Sequence, residues 1–154
     1  MAKIDTASAP KGSGSRYPAP FDEPCKMRAW LRLGDAAGLT QFGVNLMRLP
    51  PRAWSSQRHW HSHEDEFVYV VEGEVVLSTD GGEYPMRPGD SAGFKAGVKD
   101  GHHFQNRSTS DAVLLVVGSR SDEDECAYSE VDLAVPAGHY SGKIIWRHKD
   151  GTPY

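Results

Sequence analysis

The fold of this chain is decided by the stretch Arg58-His59-Trp60-His61-Ser62-His63-Glu64-Asp65-Glu66-Phe67-Val68-Tyr69-Val70-Val71-Glu72-Gly73. Two imidazoles, His59 and His61, lie two positions apart in front of a segment rich in β-branched and aromatic residues. Because side chains alternate between the two faces of a strand, both imidazoles point to the same face. Glu66 opens the following strand, and His102 lies downstream in the run Gly101-His102-His103-Phe104-Gln105-Asn106. Three imidazoles and one carboxylate suit a single divalent transition metal.

The size and composition of the chain indicate one ordinary globular domain. At 154 residues, it is long enough to bury about 70% of its unfolded surface. The net charge of -4 gives no reason to expect a nucleic-acid partner. Cys25 and Cys126 fit no zinc-site spacing and are expected to be reduced structural thiols. The chain shows no signal-peptide core and no apolar run near the ~20 residues of a membrane span, so we expect a cytoplasmic protein with no membrane partner.

Short strand-like runs recur between turn formers along most of the chain. They cover residues 42–49, 58–63, 66–71, 74–79, 83–87, 91–94, 102–107 and 112–118. The separators include Glu72-Gly73, Asp80-Gly81-Gly82 and Pro88-Gly89-Asp90, each a recognised turn sequence. No segment shows sustained helical periodicity. The pattern predicts an all-β sandwich or barrel.

Both ends of the chain differ in composition from this central part. Residues 1–20 are rich in Ala, Pro, Ser and Gly, which predicts a flexible N-terminal arm that docks on the barrel or on another subunit. Residues 21–154 are predicted to form the single domain, with its core at 40–120 and a C-terminal extension at 121–154. The acidic run 121–125 is expected to be a solvated loop. A strand is predicted at 143–147. The tail is expected to pack back on the barrel, because Ile144, Ile145 and Trp146 would be costly to leave in water.

The two histidine-bearing stretches resemble the paired motifs of the cupin family of small β-barrels. The first family motif is Gly, five residues, His-any-His, three or four residues, Glu, six residues, Gly. The chain matches it with His59-Trp60-His61, Glu66 and Gly73, while Ala53 occupies the place of the leading glycine. The second motif is matched by Gly89, His102 and Asn106, with Lys95 in place of its proline and two extra residues before His102. The resemblance covers residues 40–120.

This resemblance implies a fold, a ligand set and a class of cofactor. The fold would be a double-stranded β-helix, or jelly-roll barrel, with N- and C-terminal extensions. Its metal ligands would be His59, His61, Glu66 and His102, which converge in the mouth of the barrel. The ion would be one divalent transition metal, and the sequence does not choose among zinc, iron, manganese and nickel. The chain is also similar to a subgroup of small bacterial cupins labelled sugar-phosphate isomerase.

Two alternatives to this ligand set follow from the same residues. His63 lies on the same strand face as the other two imidazoles, so it would replace His59 in a rival set formed with His61 and Glu66. The family spacing of three or four residues before the glutamate favours His59. A metal-free barrel whose imidazoles only hydrogen-bond one another is the second alternative.

The remaining histidines are not predicted to be ligands. His103 points away from His102 on its strand, and the three-residue gap to Asn106 selects His102. His139 and His148 have no carboxylate at ligand spacing and are expected at the surface.

Strand parity also predicts the surroundings of the site and the outer surface of the barrel. Val68, Val70 and Phe104 share the parity of the ligands and are predicted to line the pocket. Phe67, Tyr69 and Val71 (with residues 113–117 on another strand) form an apolar stripe on the opposite face. Burial of this stripe against a second copy of the chain predicts a homodimer, unless the C-terminal tail covers it.

Three functions are compatible with these features, and all of them involve a small-molecule partner. The favoured one is a metal-dependent isomerase or epimerase that acts on a sugar or a sugar phosphate, in which the metal polarises oxygens of the substrate. A cupin dioxygenase that uses ferrous iron is the second, and a non-catalytic binding module is the third. The sequence predicts no catalytic residue beyond the ligands.

Overall fold

The chain forms an almost all-β barrel, which confirms the predicted fold class. The computed structural model describes residues 3–139 and 144–154. The strands are β1 (Lys11–Ser13), β2 (Ala29–Arg32), β3 (Phe42–Leu49), β4 (His59–His61), β5 (Glu66–Glu72), β6 (Val75–Thr79), β7 (Gly82–Met86), β8 (Ser91–Phe94), β9 (His103–Gln105), β10 (Ala112–Ser119), β11 (Cys126–Tyr128) and β12 (Ala134–Val135). The helical elements are a short helix α1 (Leu33–Ala36) and two 3-10 turns, Thr6–Ser8 and Glu23–Cys25. None of the helices in the described residues is long and apolar enough to cross a membrane.

The strands pair antiparallel in three sheets. One sheet has six strands in the order β1-β2-β3-β10-β5-β8. The other two have three strands each, in the orders β12-β11-β4 and β7-β6-β9. An isolated bridge between His59 and His102 joins these two small sheets, because each residue donates its backbone N–H to the carbonyl of the other. The small sheets thereby form the second wall of the barrel.

The main hydrophobic core lies between the six-stranded sheet and the β7-β6-β9 sheet. On β5, alternation buries Val68 and Val70 and leaves Phe67, Tyr69 and Val71 exposed. The core cluster consists of Leu49, Ala53, Val68, Val70, Val75, Leu77, Met86, Phe104, Ala112 and Leu114. Because this cluster draws on six strands of both sheets, it holds the barrel together without the ligand side chains.

The predicted central strands agree with the observed ones to within one or two residues at each end. The predicted strand 143–147 is wrong in its described part, and Lys143 lies outside the described residues. Residues 144–146 are not in a strand, and Arg147 makes only isolated bridges to Ala134 and Pro153. Ile144 and Trp146 instead pack their side chains on a second cluster formed by Cys126, Tyr128, Leu133 and Val135.

The described part of the N-terminal segment docks on the barrel, which is one of the two placements that its composition allowed. Strand β1 pairs with β2, and Gly12 lies under the indole of Trp30. A Cβ atom at Gly12 would lie 2.3 Å from Nε1 of Trp30, so this close approach needs glycine. Tyr17 packs on the second cluster. The division of the chain at residue 20 stays a prediction.

The outer surface of the six-stranded sheet is apolar and open. Phe67, Tyr69 and Val71 are 44%, 39% and 38% exposed. Register places Val117 beside Phe67 and Leu115 beside Tyr69, and cross-strand partners share a face of the sheet. The same register continues to β3, where Val44 and Leu46 pair with Val117 and Leu115. We call these seven residues the outer apolar face. The C-terminal tail does not cover Phe67, Tyr69 or Val71.

Candidate metal centre

The bridge between β4 and His102 brings together three of the predicted ligands. His59 and His102 exchange backbone hydrogen bonds of 3.2 and 2.9 Å, which puts their imidazole centroids 4.9 Å apart. Glu66 opens β5 on the facing wall, and its Oε2 lies 3.2 Å from Nε2 of His102 and 3.9 Å from Nε2 of His59. The ligand atoms of these three residues all lie within 4.8 Å of one another.

His61, the fourth predicted ligand, lies beside this group. Its ring centroid is 5.0 Å from that of His59. It shares a 4.8 Å cluster with His59 and Cys126, but not with Glu66 and His102. The structure therefore brings His59, Glu66 and His102 together and leaves His61 beside them, on β4 with His59.

Hydrogen bonds at Nδ1 fix the orientation of two imidazoles. Nδ1 of His59 donates to the carbonyl of Gln57 at 2.9 Å, and Nδ1 of His61 donates to the Asp124 carboxylate at 2.7 Å. A proton held on Nδ1 leaves the lone pair on Nε2, which is the form that binds a metal. Nδ1 of His102 is buried with no hydrogen-bond partner in the described residues. This third ring is held by Glu66 and by the Phe94 ring, stacked on it at 3.5 Å.

The protonation states suit a cation. Burial, reinforced by the neighbouring imidazoles of His102 and His61, lowers the pKa of His59 to about 3. Burial would raise the pKa of Glu66, but the hydrogen bond from His102 and the charges of the nearby imidazoles lower it to about 2. His59 is thus neutral and Glu66 ionised at neutral pH. Neutral imidazole and ionised carboxylate are the forms that ligate a divalent transition metal, so the residues fit such an ion.

Comparison with known proteins identifies the family of the chain. The model of the cupin domain matches residues 45–118. A cupin-superfamily protein of Silicibacter pomeroyi, described as a sugar phosphate isomerase, is 48% identical, with a TM-score of 0.93 over 99% of this chain and 96% of that one. The chain belongs to the cupin superfamily.

Two further proteins are similar to this cupin. A protein of Acidithiobacillus ferrooxidans, for which sugar phosphate isomerase activity has been suggested, is 31% identical, with a TM-score of 0.74 over 80% of this chain and 78% of that one. The polyketide synthase CurC of Streptomyces cyaneus is 33% identical over 73 residues, which are 47% of this chain. This cupin spans only 44% of the length of CurC.

The ligand cluster opens into a cavity of about 330 Å³. All four predicted ligands line it, together with Val68 and Phe104 from the predicted pocket wall. Val70 shares their parity but does not line this cavity. Other apolar and aromatic side chains complete the lining, among them Met47, Val116, Tyr128, Ile144 and Trp146.

The structure keeps three of the other histidines, His63, His103 and His148, apart from the cluster. His63 is exposed, and it belongs to none of the potential metal-ligand groups in residues 3–139 and 144–154. His103 is buried on the other side of β9, where Nδ1 donates to the Ser56 carbonyl at 3.2 Å. His148 pairs with Asp132 at 2.7 Å. His139 was expected at the surface, but it is partly buried and lines the cavity.

Asp124 is a residue of the site that the sequence analysis missed. The acidic run 121–125 was expected to be solvated, yet Asp124 is fully buried. Its carboxylate accepts hydrogen bonds from Nδ1 of His61 and from the backbone N–H of His63, at 2.7 and 2.8 Å. Neighbouring acidic residues with exposed side chains hide this position in the sequence. No local periodicity distinguishes it, because the contact with β4 is made across 63 positions of the chain.

Proposed function

We propose that this cupin binds one divalent transition metal through His59, His61, Glu66 and His102 and isomerises a small sugar or sugar phosphate. The observation that carries the proposal is the approach of two imidazole Nε2 atoms to one carboxylate oxygen inside a largely apolar cavity. Such a metal, when bound, polarises neighbouring oxygens of a substrate. The likeness to the Silicibacter pomeroyi protein supports the isomerase reading.

The residues of the chain divide the remaining work. Val68 and Phe104 keep part of the cavity dry, which strengthens electrostatic interactions with the substrate. Isomerisation between an aldose and a ketose moves one proton from the carbon that bears the hydroxyl to the adjacent carbonyl carbon, while the hydroxyl proton passes to the former carbonyl oxygen. The cavity must therefore supply a group that accepts this proton and returns it. His139 is the imidazole in the described cavity lining that the ligand set does not use, and we assign the proton transfer to it.

Metal analysis and a proton-exchange assay test the proposal together. Protein purified without added metal is analysed for zinc, iron, manganese and nickel, and then supplied with each ion. Metal-loaded protein is incubated with pentose and hexose phosphates in deuterated water. We expect one metal per chain and deuterium at the carbon next to the carbonyl, with both lost in His102→Ala. A protein that stays metal-free after supplementation contradicts the proposal.

Two other outcomes would redirect the assignment. Oxygen consumption by the iron-loaded protein with a chelating substrate, in the absence of isomerisation, would favour a dioxygenase. Substrate-induced shifts in the NMR spectrum without turnover for any loaded metal would favour a binding module. His139→Gln tests the proton transfer separately from metal binding, because we expect this variant to keep the metal and lose deuterium exchange.

We also propose that the protein forms a homodimer through the outer apolar face. Three of its side chains, Phe67, Tyr69 and Val71, are more than a third exposed on one strand. Large apolar patches of this kind are characteristic of protein interfaces. Light scattering coupled to size exclusion should give twice the chain mass, and Tyr69→Lys should give one chain mass while it keeps a cooperative thermal transition. A wild-type mass of one chain at micromolar concentration would contradict the dimer.

A cytoplasmic location is proposed from the two thiols. Cys25 and Cys126 are free and buried. Free thiol pairs are typical of reducing compartments. Cell fractionation tests this location, and recovery of the protein in an exported fraction would refute it.

A further inference from the structure

The cavity of the metal centre has a second charged end. Arg16 and Arg28 both line it, together with His59, Glu66 and His102. Among the residues that the structure describes, no carboxylate oxygen lies within the 4.0 Å of an ion pair from either guanidinium, whereas Arg48 pairs with Asp111 on the outer surface. The carboxylate in the described lining of the cavity is Glu66, which belongs to the metal site. The two arginines therefore leave positive charge in the cavity without a protein counter-ion.

Arg28 is held rigidly by groups that carry no formal charge. Its Nε donates to the carbonyl of Gly14 at 3.0 Å, and Nη1 donates to the carbonyl of Ser55. The guanidinium also lies over the rings of Tyr17 and Trp30, at 5.6 and 5.4 Å from their centroids. These contacts orient the planar group but do not neutralise its charge. Binding of an anion there would therefore cost little conformational entropy, because the side chain is already ordered.

An aromatic wall joins this end of the cavity to the imidazoles. The ring of Tyr17, which Arg28 covers, contacts Tyr128 edge-on at 5.7 Å. Tyr128 in turn lies 5.8 Å from His59, and Trp146 packs beside Tyr17 at 5.0 Å. The cavity is thus bipolar, with guanidinium donors at one end of the wall and imidazole and carboxylate ligands at the other.

We propose that Arg28 and Arg16 form an oxyanion subsite that holds the phosphate of a phosphorylated substrate while its carbonyl end faces His59, Glu66 and His102. The proposal rests on the proposed function and selects the phosphorylated sugar over the free sugar. Phosphate suits two guanidinium groups, because a dianion with three terminal oxygens accepts several charge-assisted hydrogen bonds at once. Arg28 is the fixed part of the subsite, and the exposed Arg16 closes it from the rim.

Calorimetric titration of the metal-loaded protein with inorganic phosphate tests the subsite. The variants are Arg28→Met, Arg28→Lys and Arg16→Gln, and the matched control is Arg48→Met, which removes a guanidinium outside the cavity. Loss of one charge-assisted hydrogen-bonding group should weaken phosphate binding about tenfold or more in Arg28→Met and Arg16→Gln. Arg28→Lys should recover part of the affinity, and Arg48→Met should match the wild type.

Several results would overturn the subsite. Phosphate binding that is absent, or equal in wild type and in both arginine variants, would do so. Binding that ignores both substitutions but disappears on metal removal would place phosphate on the metal instead. If acetate binds as tightly as phosphate and depends on the arginines in the same way, the subsite holds a carboxylate group of the substrate and not a phosphate. Arg16 is exposed, and its side chain makes no hydrogen bond or ion pair within residues 3–139 and 144–154. Arg16→Gln therefore remains decisive if Arg28→Met unfolds.

Metal content, measured in the same samples, separates this proposal from the proposed function. Full metal content with phosphate binding insensitive to the arginines overturns the subsite alone. Arginine-dependent phosphate binding in a protein that never takes up metal would support the subsite and contradict the metal-dependent isomerase.

Discussion

Replacement of Asp124 by asparagine should weaken metal binding, although Asp124 is not itself a predicted ligand. Its carboxylate accepts the Nδ1–H of His61 at 2.7 Å and the backbone N–H of His63 at 2.8 Å in a fully buried position. The substitution keeps the shape of the side chain and removes the negative charge. His61 then loses the partner that fixes its tautomer and makes Nε2 a stronger donor.

The expected size of the effect follows from the contacts. A hydrogen bond to a charged group contributes ~1.5–3 kcal/mol, and removal of a partner behind a metal ligand lowers affinity about 10- to 100-fold. At about 1.4 kcal/mol per tenfold change, the two estimates agree. The loss of folding stability should be smaller than this, because the amide oxygen of asparagine still accepts the N–H of His63.

A competitive titration of zinc against a chelating dye measures the affinity of each variant. Asp122→Asn is the matched control, because it makes the same chemical change at an exposed position of the same acidic run. NMR of the imidazole nitrogens reports the tautomer of His61 independently. Loss of the hydrogen-bond partner behind a metal ligand is expected to weaken binding about 10- to 100-fold. Zinc affinities of Asp124→Asn and Asp122→Asn that both lie within about twofold of wild type would refute the role of Asp124.

Three further changes test other parts of the structure. His102→Ala should abolish metal binding but keep a cooperative thermal transition, because the main core excludes this side chain; an unfolded variant would contradict this. Cys25 should react with a thiol reagent at pH 8 only in denaturant, since burial raises its pKa to about 11; labelling of the native protein would contradict this. Gly101→Ala should lower stability by about 1–3 kcal/mol, because a Cβ there would lie 1.9 Å from Ser129 Oγ. Gly93→Ala is the control, with its nearest atom at 4.0 Å, and equal melting temperatures would disprove the clash.

The central strands were predictable because their periodicity is local. Val68 and Val70 alternate with Phe67 and Tyr69, so the buried face of β5 can be assigned without knowing its neighbours. The strands β11 and β12 were missed because they are three and two residues long and owe their pairing to β4 and to each other. The prediction of a strand at 143–147 was wrong because apolar content alone does not distinguish a hydrogen-bonded strand from an irregular segment whose side chains pack individually. Trp146 packs in this second way.

The sequence pointed to the candidate ligands and to two residues of the cavity lining, Val68 and Phe104. His59 and Glu66 belong to the first cupin motif and His102 belongs to the second, and the structure places the potential ligand atoms of all three close together. Asp124 and Arg28 escaped because their roles depend on contacts made far along the chain. Arg28 can be recognised as a candidate anion-binding residue only from the structure, in which the backbone carbonyls of Gly14 and Ser55 orient its guanidinium without neutralising the charge.

The paired backbone hydrogen bonds between His59 and His102 give the barrel a seam between its two small sheets. A bound cation would be coordinated by the side chains of the same two residues, so metal binding should also stabilise the contact between the two small sheets. Hydrogen exchange of the backbone amides of His59 and His102 should therefore report metal binding without any substrate. We expect both amides to exchange more slowly in the loaded protein, whereas amides of Leu114 and Val116 in the six-stranded sheet should keep their rates.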